Sequence, residues 1–416
     1  MRPPGQTARP SPAARWGIGV KEVLPDIDRW LARGERVAIG RVVGVEGSAP
    51  RDPGATMVVS GDGEVAGSVS GGCVEGAVVT EALRALREGL PARVVTFGYS
   101  DADAFAVGLT CGGTIHVLVA PALPPFYPRL RQALLAEEPI AVATVTAVDR
   151  SGDSDQLAEG ALIPMADGTT SVGASILVEG SGTIRGSLGN PNLDRVVGRD
   201  AEGALAAGQS SFRHYGLAGE AQREAVTVFV EAFAPPPRML IFGAVDFTAA
   251  LARVAKVLGY RVTVCDARSA FATSTRFPMA DEVVCAWPHV YLREVQPPLE
   301  ARDAICVLTH DPKFDVPALK AALATRAGYL GALGSRRTHA ERTRALVDDG
   351  VREEELGRIM GPIGLDIGAR TPEETAISIC AEIIALRTGR PAPSLRDGVG
   401  PVHLSPAGDR TASLSR

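Results

Sequence analysis

Two cysteines flanked by glycines are the residues of this chain whose type and setting best suit chemistry. Cys73 ends the run Ser70-Gly71-Gly72-Cys73, and Cys111 begins the run Cys111-Gly112-Gly113. Glycines between a strand and a helix let backbone N–H groups approach a ligand closely, and the partial positive charge of a helix N-terminus also stabilises a thiolate. The first run, with Glu75 two residues further on, therefore predicts a site for an anion, a nucleophilic sulfur, or both.

The second run leaves alternatives open. If the strand predicted at Thr114–Val119 lies beside the strand predicted at Glu64–Val69, both cysteines share one pocket. A small residue within a turn explains Cys111 equally well. Zinc is not favoured, because the chain has no Cys-x-x-Cys pair and His116 alone does not complete a tetrahedral site. The other four cysteines lie in apolar runs and are predicted to be buried thiols: Cys265, Cys285, Cys306 and Cys380.

Three further segments combine a turn with a polar side chain. Arg51 ends a turn and suits a phosphate or carboxylate, with a solvated surface arginine as the alternative. His310 follows a predicted strand at the carboxyl edge of a parallel sheet, where such folds bind ligands; helix capping within its segment is the alternative explanation. Ser335 and Arg336 follow another strand and a glycine turn, an arrangement that suits an anion.

A dinucleotide site is predicted only in part. Gly243 ends one strand, and Asp266 ends the next strand 23 residues later, as a ribose-binding carboxylate would. The usual second glycine is replaced by Val245, whose branched side chain hinders a pyrophosphate, and Asp246 adds negative charge at the start of the helix. The sequence thus predicts the sheet more strongly than it predicts binding of NAD(P).

An internal repeat organises the first half of the chain. Residues 57–89 align without a gap to residues 176–208, with 10 of the 33 positions identical. The identical positions include the glycines of a hairpin and a serine that precedes the cysteine turn. Where the first copy has Ser70-Gly71-Gly72-Cys73, the second has Gly189-Asn190-Pro191-Asn192. The fold of the module therefore does not require the cysteine, which favours a functional role for it.

The second half alternates predicted strands and helices, a pattern typical of a parallel sheet. Its helices are predicted at 246–258, 317–324 and 336–347, with a last one that begins at Thr371. Three prolines at 235–237 predict a linker between the two halves. We therefore expect an α/β protein: a region 19–234 of two modules, at about 36–121 and 140–234, then a Rossmann-like parallel-sheet domain at 238–387. Residues 1–18 and 388–416 are expected to be disordered tails.

Composition excludes some classes of partner. The 416-residue chain has a formal net charge of −5, which argues against nucleic acid or an anionic membrane. No apolar run approaches the roughly 18 residues of a membrane span, and the N-terminal segment lacks the apolar core of a secretory signal. A cytoplasmic protein with reduced thiols is expected, and a homodimer is the base-rate expectation.

Several of these segments together resemble the XdhC/CoxI family, the accessory proteins of xanthine dehydrogenase and related molybdenum hydroxylases. The resemblance covers about residues 20–120 and 238–386. It is carried by GSAPRDPGATMVV, GSVSGGCVEG, GLTCGGT, LTHDPKFDVPAL, YLGALGSRRTHAER and GPIGLDIGARTPEETAISICAEI. The family's glycine-flanked cysteines match Cys73 and Cys111. Its Gly-Ala-Gly-His turn is replaced here by Gly243-Ala244-Val245-Asp246.

The resemblance implies a chaperone that binds molybdenum cofactor, a pyranopterin, assists its sulfuration and delivers it to a hydroxylase of the xanthine dehydrogenase or CO dehydrogenase type. Cys73 is the residue expected to contact molybdenum, and a cysteine desulfurase is a further expected partner. Two alternatives remain: an NAD(P)-dependent oxidoreductase that uses the second half, and an adaptor without a ligand of its own.

Overall fold

The computed structural model describes residues 18–46, 51–98, 113–149, 169–220 and 224–397. The predictions for Cys111, for Gly112 and for the outer parts of both tails lie outside these residues. Contacts divide the chain between Pro235 and Pro236 into two compact units. None of the described helices is long and apolar enough to cross a membrane.

The first unit contains two copies of one arrangement. The first copy comprises α1 (Ile18–Ala32), β1 (Val37–Glu46), β2 (Thr56–Ser60), β3 (Val65–Gly67), α2 (Glu75–Glu88), β4 (Arg93–Phe97) and β5 (Thr114–Ala120). The second comprises α3 (Tyr127–Ala136), β6 (Ile140–Val148), β7 (Ser175–Glu179), β8 (Ile184–Ser187), α4 (Pro191–Ala207), β9 (Ser211–Tyr215) and β10 (Val226–Phe233). The sheet order β3-β2-β1-β5-β4 recurs as β8-β7-β6-β10-β9. The predicted duplicated module is therefore confirmed.

Each sheet has a helix packed on one face. In α2 the buried side chains Val78, Ala82 and Leu86 follow one another at intervals of four residues, so they form a stripe along one side of the helix. In the second copy α4 covers its sheet with a similar stripe. Helices α1 and α3 share one apolar cluster with residues from both sheets, which joins the two modules into one unit.

The order of the first sheet corrects one expectation. Strand β5 does not lie beside β3, because β2 and β1 lie between them. Neighbouring strands of this sheet are antiparallel, so the carboxyl ends of β1, β3 and β4 lie at the same end as the amino ends of β2 and β5. We call this the cysteine end of the first sheet, since the turn that follows β3 carries Cys73.

The second unit is built on one parallel sheet. Its elements are β11 (Arg238–Phe242), α5 (Asp246–Val257), β12 (Arg261–Cys265), β13 (Glu282–Val284), α6 (Pro288–Glu294), β14 (Ala304–Val307), α7 (Pro312–Leu323), β15 (Tyr329–Ala332), α8 (Arg336–Asp348), α9 (Glu353–Leu356), β16 (Ile359–Met360) and α10 (Pro372–Thr388). All pairings are parallel, in the order β13-β12-β11-β14-β15-β16. This is the strand order of Rossmann folds, which confirms the predicted fold.

Two details of this unit differ from the sequence prediction. Helix α7 begins at Pro312 rather than at Pro317, because a proline is tolerated at the first helical position and Asp311 caps the helix by accepting from the N–H of Lys313. Strands β13 and β16 were not predicted, since they contain only 3 and 2 residues and show no alternating pattern. Between β12 and β13 the chain forms turns instead of a helix.

Candidate functional site

The turn between β3 and α2 is closed by the carboxylate of Glu75. Its Oε1 accepts from the backbone N–H of Ser70 at 2.9 Å and from the Ser68 hydroxyl at 2.7 Å. Its Oε2 accepts from the N–H of Gly72 at 2.9 Å and from the Ser70 hydroxyl. Longer bonds from the N–H groups of Val69 and Val74 complete the set. A side chain of the protein therefore lies where a bound anion was expected.

The remaining N–H groups of this turn also have acceptors inside it. The N–H of Gly71 donates to the Ser68 hydroxyl at 2.9 Å, and the N–H of Cys73 donates to the Ser70 hydroxyl at 3.0 Å. Every backbone N–H from residue 69 to residue 74 is thus satisfied by Ser68, Ser70 or Glu75. The expectation of vacant amides for a ligand is not met at this turn.

The charge of Glu75 follows from these bonds. Burial opposes its ionisation, but hydrogen bonds from the Ser70 and Ser68 hydroxyls and from the backbone outweigh burial and lower the pKa of Glu75 to about 2. The carboxylate is therefore ionised at neutral pH, and it interacts favourably with the N-terminus of α2. An incoming phosphate would have to displace it.

The second module closes its own turn in the same way. Asp194, which aligns with Glu75, accepts from the Ser187 hydroxyl at 2.8 Å and from the N–H of Leu188 at 2.6 Å. Ser187 aligns with Ser68 and likewise accepts from a backbone N–H that follows it, that of Gly189. The serine and the acid therefore belong to the fold of the module and do not distinguish the copy that carries the cysteine.

The two copies differ in where the helix begins. Helix α4 begins at Pro191, and the Asn190 side chain caps it by accepting from the N–H of Asn192 at 2.9 Å. Helix α2 begins later along the aligned sequence, at Glu75, and its N-cap Val74 provides no side-chain bond. In the first module the turn that would begin the helix is therefore unwound, and Cys73 lies in it.

The glycines of the unwound turn are required by its backbone and not by crowding. Gly71 and Gly72 have φ of +78° and +122°, values that other residues rarely adopt. A Cβ at either position would lie more than 4 Å from any atom of the described residues that could obstruct it. Cys73 beside them is half-buried, with part of its side chain against the apolar core under α2.

Other predicted residues lie at the same cysteine end. Arg51 is exposed on the connection from β1 to β2, and Gly113 is buried immediately before β5. His116 on β5 does not join the cysteine turn, because its ring nitrogens contact Thr96 Oγ1 at 2.9 Å and Glu46 Oε1 at 3.2 Å. Within the described residues, no group of three or more His, Cys, Asp or Glu side chains is arranged to hold a metal ion.

In the second unit, Asp266 supports the first turn of the sheet. Its Oδ2 accepts from the N–H of Ala244 and from Arg268 Nη2, both at 2.8 Å, while Oδ1 accepts from Arg268 Nε at 2.9 Å. Only 3% of Asp266 is exposed. Burial opposes ionisation, yet these bonds lower its pKa. Both oxygens are engaged within the protein, so the carboxylate is not presented to a ribose.

The carboxyl edge of this sheet also brings Gly243, His310, Ser335 and Arg336 to one side of the unit. A Cβ on Gly243 would lie 2.9 Å from Thr309 Cγ2, which shows how closely β11 and β14 approach. His310 and Arg336 are exposed. Ser335 caps α8 by accepting from the N–H of Thr338 at 3.1 Å.

A buried hydrogen-bond network at this edge was not predicted from the sequence. Asp315 accepts from the Thr309 hydroxyl and from Arg342 Nη2, the latter at 2.6 Å, and Arg342 also donates to the carbonyl of Leu333. Burial raises the pKa of Asp315 in spite of these partners. The network ties the ends of β14 and β15 together. Its arginine and aspartate are 27 residues apart, and no local pattern links them.

The cysteines outside the first sheet divide into two kinds. Cys265, Cys306 and Cys380 are buried, as predicted, and burial raises the pKa of the Cys265 and Cys380 thiols to about 12. The prediction was wrong for Cys285, which is exposed. It follows the short strand β13, which lies at the edge of the sheet formed by the described residues.

Comparison with known protein families gives two matches. A family model described as the XdhC Rossmann domain matches residues 239–383, and a model described as the XdhC and CoxI family matches residues 30–98. The first match spans the parallel sheet of the second unit. The second match contains the whole cysteine turn and its supporting strands β1 to β3.

Individual proteins are similar over most of the chain. A protein of Bacillus subtilis (strain 168) that is described as a probable subunit of xanthine dehydrogenase is 28% identical over 371 residues, which cover 87% of this chain and 96% of that protein. "Molybdenum cofactor insertion chaperone PaoD" of Escherichia coli (strain K12) is 26% identical over 361 residues, covering 86% and 85%. The crystal structure of a xanthine dehydrogenase from Bacillus halodurans is similar with a TM-score of 0.52 and 25% identity, over 89% of this chain and 97% of that one.

Proposed function

This chain belongs to the XdhC/CoxI family, and we propose that it is an accessory protein that binds molybdenum cofactor and assists its insertion into a molybdenum hydroxylase of the xanthine dehydrogenase type. The observation that carries the proposal is the unwound turn of α2. It holds Cys73 half-exposed in the module that has the cysteine, while the matched module continues its helix through the same position.

The turn that carries Cys73 fits the metal end of this cofactor and not its phosphate. A thiolate is a soft donor that suits such a metal centre. The amides of the turn are already bonded to Glu75, Ser68 and Ser70, so they leave no cradle for a phosphate. The ionised Glu75 adds negative charge beside them. Among the described residues, Arg51 is an exposed cationic side chain at the same end of the sheet, and its guanidinium suits the phosphate.

The proposal assigns limited roles to the protein's own residues. When bound, the cofactor supplies the molybdenum that the hydroxylase uses. Glu75, Ser68 and Ser70 hold the turn rigid, so that Cys73 is presented in one position without rearrangement. Assistance in sulfuration, with a cysteine desulfurase as the sulfur donor, is the finer part of this proposal, and it uses the same thiol.

Purification from a host that makes molybdenum cofactor tests the proposal. We expect oxidised pterin to be released from the wild-type protein and to be strongly diminished in Cys73→Ser. Co-expression with the apo-hydroxylase should show a parallel loss of hydroxylase activation. Cys285→Ser is the matched control, since it removes an exposed thiol from the other unit. The proposal fails if wild-type protein carries no pterin and Cys73→Ser activates the hydroxylase as wild type does.

A further inference from the structure

A cavity of about 310 Å³ lies between helix α4 and strand β9 of the second module. Arg199, Gly203 and Ala207 line it from the helix, because residues four apart lie in one row along a helix surface. Ser211 and Arg213 line it from the strand, since residues two apart share one face of a strand. Two arginines from different elements are therefore brought to one cavity.

In the first module the same row of the helix carries an ion pair. The ungapped alignment of the two copies places Arg84 of α2 at the position of Gly203 and Glu88 at the position of Ala207. Arg84 Nε lies 3.2 Å from Glu88 Oε2. A Cβ on Gly203 would lie more than 4 Å from any atom of the described residues that could obstruct it. The second module thus has small residues where the first has two long side chains, and this leaves space for a ligand beside α4.

The strand differs between the copies in the same direction. The strand registers place Arg93 of β4 at the position of Ser211. Arg93 forms an ion pair with Glu81 of α2. Asp200, which aligns with Glu81, instead accepts from the Tyr215 hydroxyl at 2.7 Å. In the second module the carboxylate is therefore bonded to a phenol, and a short serine replaces the arginine that pairs with it in the first.

Two cations line the cavity, and the first module has none at their positions. Thr80 aligns with Arg199, and the strand registers place Val95 at the position of Arg213. Both arginines are exposed, and neither forms an ion pair within the described part of the chain. A guanidinium group presents forked N–H donors that match the oxygens of a phosphate. The pair of them therefore favours an oxyanion over a neutral ligand.

We infer that this cavity binds a small phosphate monoester, with its phosphate group on Arg199 and Arg213. The volume lies near the lower end of the roughly 300 to 1,000 Å³ of ligand pockets, which limits the occupant to a small molecule. Asp200 also lines the cavity, but two arginines and one aspartate leave a net positive charge, and the Tyr215 hydroxyl donates to this carboxylate. The inference goes beyond the proposed chaperone function, because the cavity belongs to the module that has no cysteine turn.

Calorimetric titration of the full-length protein with glycerol 3-phosphate tests this inference, with glycerol as the unphosphorylated probe. We expect glycerol 3-phosphate to bind at micromolar to millimolar concentration and glycerol not to bind over the same range. Loss of one charged donor should weaken the binding of glycerol 3-phosphate about tenfold or more in Arg199→Gln and in Arg213→Gln. Ala207→Glu introduces the acid that the first module has at this position. It should abolish binding, because its side chain fills the cavity and repels the phosphate.

The matched control is another arginine of the same helix. Arg195 is exposed on α4 but does not line the cavity, so Arg195→Gln should bind glycerol 3-phosphate as wild type does. Cys73→Ser should also bind it normally, which separates failure of this inference from failure of the proposed chaperone function. Thermal unfolding at the wild-type temperature checks that each variant is folded.

Three results would overturn the inference. The first is that glycerol 3-phosphate does not bind at millimolar concentration. The second is that either arginine variant, or Ala207→Glu, binds it with wild-type affinity. The third is that Arg195→Gln weakens binding as much as Arg199→Gln does, since the phosphate would then respond to the general charge of the helix and not to the cavity.

Discussion

The Glu75 carboxylate lies at the N-terminus of α2, close to Cys73, as an acceptor for the amides of the turn. Six donors converge on its two carboxylate oxygens, and four of them are backbone amides of the turn that leads into α2. The carboxylate therefore receives the stabilisation that the sequence offered to the thiolate. What distinguishes Cys73 is its half-buried position in a turn whose amides are all bonded within the turn, so we attribute its proposed role to presentation of the sulfur rather than to activation by the helix.

Replacement of Glu75 by Gln tests this assignment through the pH dependence of stability. Its folded-state pKa, about 2, is lower than the ordinary value of 4.5, so the carboxylate stabilises the fold above pH 4.5 and that contribution is lost as pH falls from 4.5 towards 2. In Glu75→Gln we expect the free energy of unfolding at neutral pH to fall by about 1 to 3 kcal/mol, and this part of the acid dependence to disappear. Denaturant unfolding from neutral pH down to about pH 3 measures both.

The same substitution should change the reactivity of the neighbouring thiol. Glu75→Gln removes the carboxylate that closes the turn and so weakens the bonds that hold Cys73 half-buried, and Cys73 should therefore be alkylated faster than in wild type. Asp194→Asn is the control, because it loosens the corresponding turn of the module that has no cysteine. Equal alkylation rates in all three proteins would contradict the assignment.

At the scale of elements, the first module has exchanged one turn of helix for a glycine loop. Helix α4 shows what the module does without that change: it begins at a proline and is capped by an asparagine. In the first module the corresponding residues take positive φ, and the carboxylate of Glu75 replaces the missing cap. The loop is a costlier way to begin a helix than an Asn-Pro start, which is why its presence indicates function.

Alanine substitutions at two glycines measure that cost. Gly72→Ala should lower the free energy of unfolding by about 1 to 2 kcal/mol, because φ of +122° strains an L residue although space for the methyl group is available. Gly203→Ala, inside α4 with nothing near its Cβ, should raise stability by about 0.5 to 1 kcal/mol. Thermal unfolding of both variants decides the matter, and the opposite signs are the discriminating result.

The helices, strands and turns could be predicted from the sequence better than the side-chain contacts at the candidate sites. The glycine spacing revealed the duplicated module and the cysteine turn, because glycine positions directly report backbone conformation. It did not reveal that Glu75 folds back onto its own turn, since the same residues also suit a bound anion. The exposure of Cys285 was not predictable from its apolar run, because β13 is a short edge strand whose neighbours are fixed only by the sheet order.

At the scale of the whole first unit, the two modules are joined by a buried ion pair. The first module supplies the arginine and the second supplies the glutamate, and the reverse pair does not occur. Arg41 of β1 donates from Nη1 to Glu231 Oε2 of β10 at 2.5 Å, and the two residues are 8% and 4% exposed. The strand registers place Thr144 at the position of Arg41 in the second copy and Ala120 at the position of Glu231 in the first. The pair therefore has no counterpart within the duplication.

The Glu231 side chain of this pair also lies near the β1–β2 connection, which is at the cysteine end of the first sheet. A Cβ on Gly54, in the connection that carries Arg51, would lie 3.3 Å from Glu231 Oε1. Glu231 of the second module therefore lies close to the β1–β2 connection of the first module. Around it, Val43, Leu118 and Phe229 form a small buried cluster from both sheets.

Removal of the cation from this pair should destabilise the unit, and the loss of stability should depend on pH. Burial raises the pKa of Glu231, and Arg41 opposes that rise. In Arg41→Met the pKa rises further, so the stability contributed by this group is full below the ordinary carboxyl pKa and is lost as pH rises through the folded-state value. We expect a loss of about 3 to 5 kcal/mol at neutral pH that shrinks towards pH 4, measured by denaturant unfolding.

A double substitution separates the loss of the pair from the exposure of a lone charge. Arg41→Met with Glu231→Leu replaces both charges by apolar groups of similar size and should recover most of the stability, because the main penalty in the single variant is an unpaired buried carboxylate. Arg84→Met, which breaks the half-exposed pair with Glu88 on α2, should cost no more than about 0.5 kcal/mol. If Arg41→Met were as mild as Arg84→Met at every pH, the buried pair would not be what holds the two modules in register, and the packing of α1 and α3 alone would have to account for the single unit.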